Sequence, residues 1–518
     1  MLPKLSRLPK LSEMGQSIGD SAAYIEGNMN IGRIIGLTLL TALSPIWVWA
    51  DEVSTTRIAQ LSDRAAELAK VQHPQGVALA SAIWDLAELG YMEVQSSAQL
   101  QAYLGGQGFQ IQTGVADIPT AFVATYQTDN TTDRDPTIAI LAEFDALPGL
   151  NQAAEPQRRI TEESAPGHAC GHHLFGAASA TAAVAVRHWL EENNLRGTIK
   201  LVGTPAEEGG SGKVYLARAG VFEDVDIVLH WHPSDANSAS PSSTTANKSG
   251  RFTFSGRAAH AASAPDQGRS ALDGVEAMNF MVNLMREHVP QTARLHYVIT
   301  DGGAAPNIVP ETAQVYYYVR HPEKEQVVDL FERVVKAAQA AAMGTGTEVN
   351  VEVMHGNYPV LPNLTLAELV YDNLVGLGGI QYSPTEQAFA QTLQGTLINP
   401  RRSLGSEETV SAYKVRQSMG STDVGDVSWL VPTVGFTTAT WVPGTPAHSW
   451  QAVAAGGMSI GHKGMDLASR LLAKSAAQLM LQPQTITQAK AELKEAQGPN
   501  FVYAALLGDR EPPLDYRK

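Results

Sequence analysis

Four apolar runs along the chain share one pattern: residues suited to a buried strand, followed at once by polar residues. Thr137-Ile-Ala-Ile-Leu-Ala-Glu-Phe runs into Asp145-Ala-Leu-Pro, and Thr198-Ile-Lys-Leu-Val-Gly into Thr204-Pro-Ala-Glu-Glu. Val225-Asp-Ile-Val-Leu runs into His230-Trp-His-Pro, and Val434-Gly-Phe-Thr-Thr-Ala-Thr into the segment from Trp441 to His448. Runs this rich in aliphatic residues fit strands covered on both faces. Residues 174–192 and 451–481 instead carry apolar residues at helical spacing. Strands alternating with helices predict an α/β domain: a mostly parallel sheet with helices on both faces. Ligands of such sheets bind beyond the carboxyl ends of the strands, which is where the polar residues of this chain gather.

Between 247 and 357 the pattern changes. Arg251-Phe-Thr-Phe-Ser-Gly, Leu295-His-Tyr-Val-Ile, Ala313-Gln-Val-Tyr-Tyr-Tyr-Val-Arg320 and Glu348-Val-Asn-Val-Glu-Val read as amphipathic strands. Helices are expected near 268–288 and 323–343. The order β-α-β-β-α-β predicts an inserted α+β, ferredoxin-like domain. The first domain thus comprises 51–246 and 358–485, and the charged tail 486–518 is either a docked extension or a loose end. A length of 518 residues agrees with two domains rather than one core.

Residues 34–50 form an apolar stretch behind Arg33, ending in Val48-Trp49-Ala50 before Asp51-Glu52. This reads as a secretory signal in 1–50 cleaved after Ala50, and so as a secreted or periplasmic protein. Met29 would give a compact signal, with 1–28 an extended start. An uncleaved membrane anchor is the alternative, weakened by Pro45 and the short span. The net charge of −15 argues against nucleic acid and anionic membranes as partners, because their phosphates are repelled. A small anionic substrate would need a local cation. Cys170 is the only cysteine, so no intramolecular disulfide forms and the compartment is not readable from it.

Cys170 lies in Gly167-His-Ala-Cys-Gly-His-His173, where a thiol and an imidazole two residues apart can reach one metal centre. Glu207 and Glu208 repel one another unless a cation lies nearby. His230, His232 and His448 follow two further strands. Each group alone fits a structural role; four at one end of a sheet point to a metal site. Trp231, Trp441 and Trp450 flank these residues and serve either an aromatic acyl group or the core.

The motifs Asp145-Ala-Leu-Pro, His168-Ala-Cys-Gly-His172, Pro205-Ala-Glu-Glu208, Trp231-His-Pro233 and the late His448 resemble the metallopeptidase family of glutamate carboxypeptidase and aminoacylase. The cysteine motif resembles its amidohydrolase branch, which includes hydrolases of indole-acetyl and aminobenzoyl amino acids. Gly209-Gly-Ser-Gly-Lys213, Gly268-Arg-Ser-Ala-Leu-Asp273, Ser421-Thr-Asp-Val-Gly-Asp-Val-Ser-Trp429 and Gly461-His-Lys-Gly-Met465 resemble the aminobenzoyl-glutamate subgroup. The resemblance covers roughly 55–485. It implies two divalent metal ions per subunit, Zn or Mn, held by Cys170, His172, Glu208, His232 and His448. It makes Glu207 the general base and acid, Asp145 the residue that orients a ligand, and His260 the oxyanion donor. Asn307 and Arg320 become the carboxylate clamp. The insertion becomes a lid and dimerisation domain, implying a homodimer or a homologous second subunit. Two positions depart from the common branch pattern. His173 stands where Asp is usual, and many relatives use the histidine three before Pro233, His230, where this subgroup uses His232.

The implied activity is hydrolysis of the amide bond of N-acyl amino acids, with aryl-acyl glutamate or aspartate as substrates. A metal dipeptidase or carboxypeptidase of the same fold and a non-catalytic binding subunit are the alternatives. A dipeptidase should carry an acid for the free α-amine, and none stands out. A binding module has no need of Glu207.

Overall fold

The structure is a computed structural model that describes residues 54–517. The leader expected at 1–50 lies outside them. In chain order the strands are β1 (Gln110–Thr113), β2 (Phe122–Gln127), β3 (Thr137–Ala142), β4 (Thr198–Gly203), β5 (Ile227–Ser234), β6 (Ser242–Ser243), β7 (Ala246–Ser255), β8 (Arg294–Asp301), β9 (Thr312–His321), β10 (Glu348–Asn357), β11 (Arg416–Gln417) and β12 (Thr433–Ala439).

β1, β2, β4, β3, β5 and β12 form one sheet in that order. The pairs β4–β3, β3–β5 and β5–β12 are parallel, as the apolar runs predict. The antiparallel hairpin β1–β2 extends one edge and was not expected. β1 is a polar Gln-Ile-Gln-Thr strand with little buried surface, so no hydrophobic pattern marks it. The helix His172–Glu192 is buried from His172 through Val186. Its many alanines let it lie close against β3, β4 and β5, and Trp189 Nε1 donates to the Leu61 carbonyl at 2.8 Å.

One expected helix is two. Trp450–Gly456 and Ser459–Leu481 are separated at Met458, whose backbone is extended. Glycine is a poor helix former, and here it is also a packing requirement. A Cβ on Gly457 would lie 2.7 Å from the Trp84 ring.

β10, β7, β9 and β8 form a separate sheet in that order, antiparallel throughout. The helices Ala271–Met285 and Lys324–Thr345 share its core. β9 shows the strand period directly: Ala313, Val315, Tyr317 and Val319 are fully buried, while Tyr316, Tyr318 and Arg320 are half-exposed on the other face. The tail is docked. The helix Pro483–Gln497 continues into a strap, residues 498–517, that runs over both parts of the molecule.

Candidate metal centre

Each candidate ligand sits at the carboxyl end of a parallel strand, β3, β4, β5 or β12, or at the start of the helix that follows β3. Gly171 separates Cys170 from that helix and adopts a φ of +78°. A Cβ there would lie 2.7 Å from Pro233, so glycine alone lets the Cys170 loop approach β5. His448 also has a left-handed backbone, φ 58°, and its N–H donates to the Ala169 carbonyl at 3.0 Å. A non-glycine residue held this way is strained, and such strain gathers at functional sites.

Ligand atoms of Cys170, His172 and His232 all lie within 4.8 Å of one another, as do those of Cys170, Glu208 and His448. Cys170 is common to both groups, the arrangement expected of a thiolate shared by two cations. His230 belongs to neither; its Nε2 points at Gly435, where a Cβ would be 2.2 Å away.

Hydrogen bonds orient the ring nitrogens. His172 Nδ1 donates to Asp145 Oδ1 at 2.8 Å, and His232 Nδ1 donates to the Pro233 carbonyl at 2.7 Å. Nε2 of a neutral ring then carries a lone pair rather than a proton. Burial holds His232 neutral, whereas against burial the Cys170, Glu143 and Asp145 groups around His172 raise its proton affinity, so a cation at its Nε2 must displace a proton. His232 Nε2 faces Cys170 Sγ at 3.4 Å. His172 Nε2 lies 3.1 Å from Glu143 Oε2, and His448 Nε2 lies 3.0 Å from Glu208 Oε1. Yet His172 Nε2, Glu143 Oε2 and Glu208 Oε1 are buried with no partner in hydrogen-bonding geometry among the described residues. Acceptors gathered this closely need either protons or cations among them. The Glu208 contact raises the proton affinity of His448, and divalent metals would take the place of the protons there and on His172. Burial also pushes the Cys170 thiol well above its usual pKa, so a thiolate there requires a cation. The donor set of thiolate, imidazole and carboxylate therefore fits divalent metal.

Asp145 has two tasks. Besides holding His172, its Oδ2 accepts from the Glu208 N–H at 2.9 Å, linking two candidate ligands through one carboxylate. Glu207 lies beside the cluster, within 4.8 Å of Glu143 and His172 ligand atoms. Burial and the neighbouring Glu143 and Glu208 carboxylates hold its carboxyl well above the ordinary range. Glu143 went unnoticed in the sequence because it lies inside an apolar run. Lys213 is fully buried, with Nζ 2.7 Å from Glu143 Oε1 and 2.8 Å from Asp423 Oδ1.

A cavity of about 510 Å³ opens from this cluster toward Ser240, Thr244, Arg402 and Arg416. Trp231 and Trp441 are core residues rather than cavity walls: both are buried, and Trp231 Nε1 donates to the Phe175 carbonyl. His173 points away from the centre, with Nε2 donating to the Gly456 carbonyl at 3.1 Å. His260, Asn307 and Arg320 do not line the cavity. His260 and Asn307 are exposed on neighbouring loops of the inserted domain. His260 Nδ1 accepts from the Ala262 and Ser263 N–H groups, both at 3.2 Å, leaving Nε2 to carry the proton. Arg320 is half-buried over the Tyr318 ring, its Nε without a partner among the described residues.

Cys170→Ser should lower metal occupancy at both positions, because a neutral hydroxyl replaces a shared thiolate poorly. Elemental analysis of the purified variant checks this; full occupancy of both would reduce Cys170 to a small buried side chain.

Residues 243–345 match the peptidase dimerisation domain. The chain is 38% identical over 443 residues to one of the subunits of the p-aminobenzoyl-glutamate hydrolase of Escherichia coli, covering 80% of this chain and 91% of that protein. It is 31% identical to the Xaa-Arg dipeptidase of Mus musculus, covering 73% of this chain and 80% of the relative. A dinuclear metal-binding peptidase of the M20 family from Bacillus subtilis shares the fold, with a TM-score of 0.53 and 18% identity over 79% of this chain and 98% of that one. With the cluster at the carboxyl ends of the parallel strands, these matches make the chain a member of the M20 metallopeptidase family, a metal-dependent amidohydrolase.

Proposed function

We propose that the protein hydrolyses the amide bond of N-acyl amino acids, with aryl-acyl glutamate or aspartate such as p-aminobenzoyl-glutamate as substrates. The observation that carries this reading is Cys170 shared between two three-ligand groups with Glu207 alongside. Cys170, His172, Glu208, His232 and His448 would hold two divalent cations, Zn or Mn. Such a pair polarises a carbonyl and acidifies water. Glu207 takes the proton of the attacking water and delivers it to the leaving nitrogen. His260 Nε2–H donates to the oxyanion that develops on the carbonyl. Asn307 and Arg320 hold the α-carboxylate of the scissile residue, and the guanidinium fork fixes its orientation.

The cavity favours an acylated substrate over a free dipeptide. Among the described residues its only carboxylates are Glu143, Glu207 and Glu208, all engaged in the cluster, so no acid is left there for a free α-amine. A non-catalytic binding subunit would have no use for Glu207.

His260 and Asn307 lie on the insertion, away from this chain's cavity, which fits their serving the site of a partner subunit. Val298 and Ile299 on edge strand β8, with Phe280 and Leu284 on the adjacent helix, are exposed apolar residues that would be covered in a homodimer or by a homologous second subunit. The apolar leader supports a secreted or periplasmic location.

Arg320→Ala is expected to raise KM and lower kcat together. It removes a charge-assisted contact worth about 1.5–3 kcal/mol and the register of the substrate carbonyl. Substrates with the carboxylate blocked as an amide should be poor for wild type and hardly worse for the variant. Equal losses on free and blocked substrates would show that Arg320 does not read the carboxylate.

A further inference from the structure

The loop after β4 carries both acids of the centre and is conformationally demanding. Ala206 and Ser211 have left-handed backbones at φ 56° and 62°, and Gly209 lies between them at φ 89°. Side chains that are local in sequence do not hold it. Glu93 Oε1 accepts from the Ala206 N–H at 2.8 Å, and Tyr91 Oη donates to the Gly210 carbonyl at 2.6 Å. Further grip comes from Asp145, from His355 on the Ser211 hydroxyl, and from the strap. Tyr516 Oη and Arg517 Nη2 both donate to the Glu208 carbonyl, at 3.0 and 2.7 Å, across 308 and 309 positions of sequence. The Tyr516 ring stands edge-on to Tyr91 at 5.6 Å, and its hydroxyl occupies the space that a Cβ on Gly90 would need.

Glu208 is therefore clamped at both ends of its backbone: Asp145 holds its N–H, and the strap saturates its carbonyl. Fixing both flanking peptide planes fixes the direction of the Cα–Cβ bond, and with it where the Glu208 carboxylate points. The strap has its own footing. Arg510 Nη1 donates to the Met354 carbonyl at 2.9 Å, and Nη2 pairs with Glu352 at 2.6 Å, both on β10 of the inserted domain. On the other side Arg218 Nη1 donates to the carbonyls of Gly508 and Arg510, each at 2.8 Å.

We propose that Tyr516 and Arg517 are positioning residues of the metal centre, acting through the Glu208 backbone. The proposal rests on Glu208 being a ligand, as in the function proposed above. Its test reads metal binding directly and so does not depend on the substrate. Tyr516→Phe/Arg517→Ala should bind Zn about 10–100-fold more weakly in chelator competition, the range seen when groups that orient metal ligands are removed. On p-aminobenzoyl-glutamate kcat should fall with KM unchanged, because Glu208 does not touch the substrate carboxylate. The thermal midpoint of the metal-free protein should stay at the wild-type value, and Arg517→Lys, which keeps a charged donor, should recover most of the Zn affinity. Wild-type Zn affinity in the double variant would overturn the proposal. So would an affinity loss that parallels a lower metal-free midpoint and is not relieved in Arg517→Lys. If no acyl amino acid is hydrolysed but the Zn result holds, the substrate reading fails and the strap's role stands.

Discussion

Glu207→Gln should retain both metals and the fold while losing about 10²–10⁴-fold in kcat, the usual cost of removing a general base. Gln fills the same volume, and Glu207 belongs to neither of the groups that share Cys170. What the amide cannot do is accept a proton from water. The raised proton affinity of Glu207, set by burial and the Glu143 and Glu208 carboxylates, also suits it to carry that proton to a leaving nitrogen. Turnover together with elemental analysis on one preparation checks the assignment. A near-wild-type rate would remove Glu207 from the reaction, and a rate loss accompanied by metal loss would make it a ligand.

Lys213→Met should destabilise the protein by about 3–5 kcal/mol, the cost of breaking a buried ion pair from one side. Lys213 Nζ pairs with both Glu143 and Asp423, and its backbone N–H donates to Asp423 Oδ2 at 2.9 Å. All three side chains are almost completely buried, so the methionine would leave two carboxylates without a counter-charge. Urea unfolding of the metal-loaded protein reads the loss. Adding Glu143→Gln should recover part of it, because one uncompensated charge disappears, and that non-additivity separates electrostatics from packing. A loss below about 1 kcal/mol would show that water or rearrangement already screens the pair.

The parallel strands were legible because burial on both faces demands apolar runs, which β3 and the first half of β5 have outright, and which β4 and the edge strand β12 have with polar interruptions. The cluster was legible for a related reason: Asp145, Cys170, Glu207, Glu208, His232 and His448 interrupt or follow apolar sequence. What stayed hidden depends on distance along the chain. Lys213 and Asp423 sit in quotable motifs, but their pairing spans 210 positions and no local pattern announces it. Glu143 reads as one residue inside an apolar run until Lys213 and His172 are seen beside it. Tyr516 and Arg517 lie in a polar tail whose composition fits a loose end equally well. The break at Met458 escapes a helical period because Gly456 and Gly457 preserve the apolar spacing on either side.

On this reading, metals gathered by Cys170 drive hydrolysis of an acyl amino acid. The direct measurement strips the protein with a chelator, then titrates Zn or Mn back while following p-aminobenzoate release from p-aminobenzoyl-glutamate. The stripped protein should be inactive, and recovery should saturate at two metals per chain, with Cys170→Ser failing to reach it. Hydrolysis that persists without metal, or full recovery in Cys170→Ser at the same stoichiometry, would contradict it.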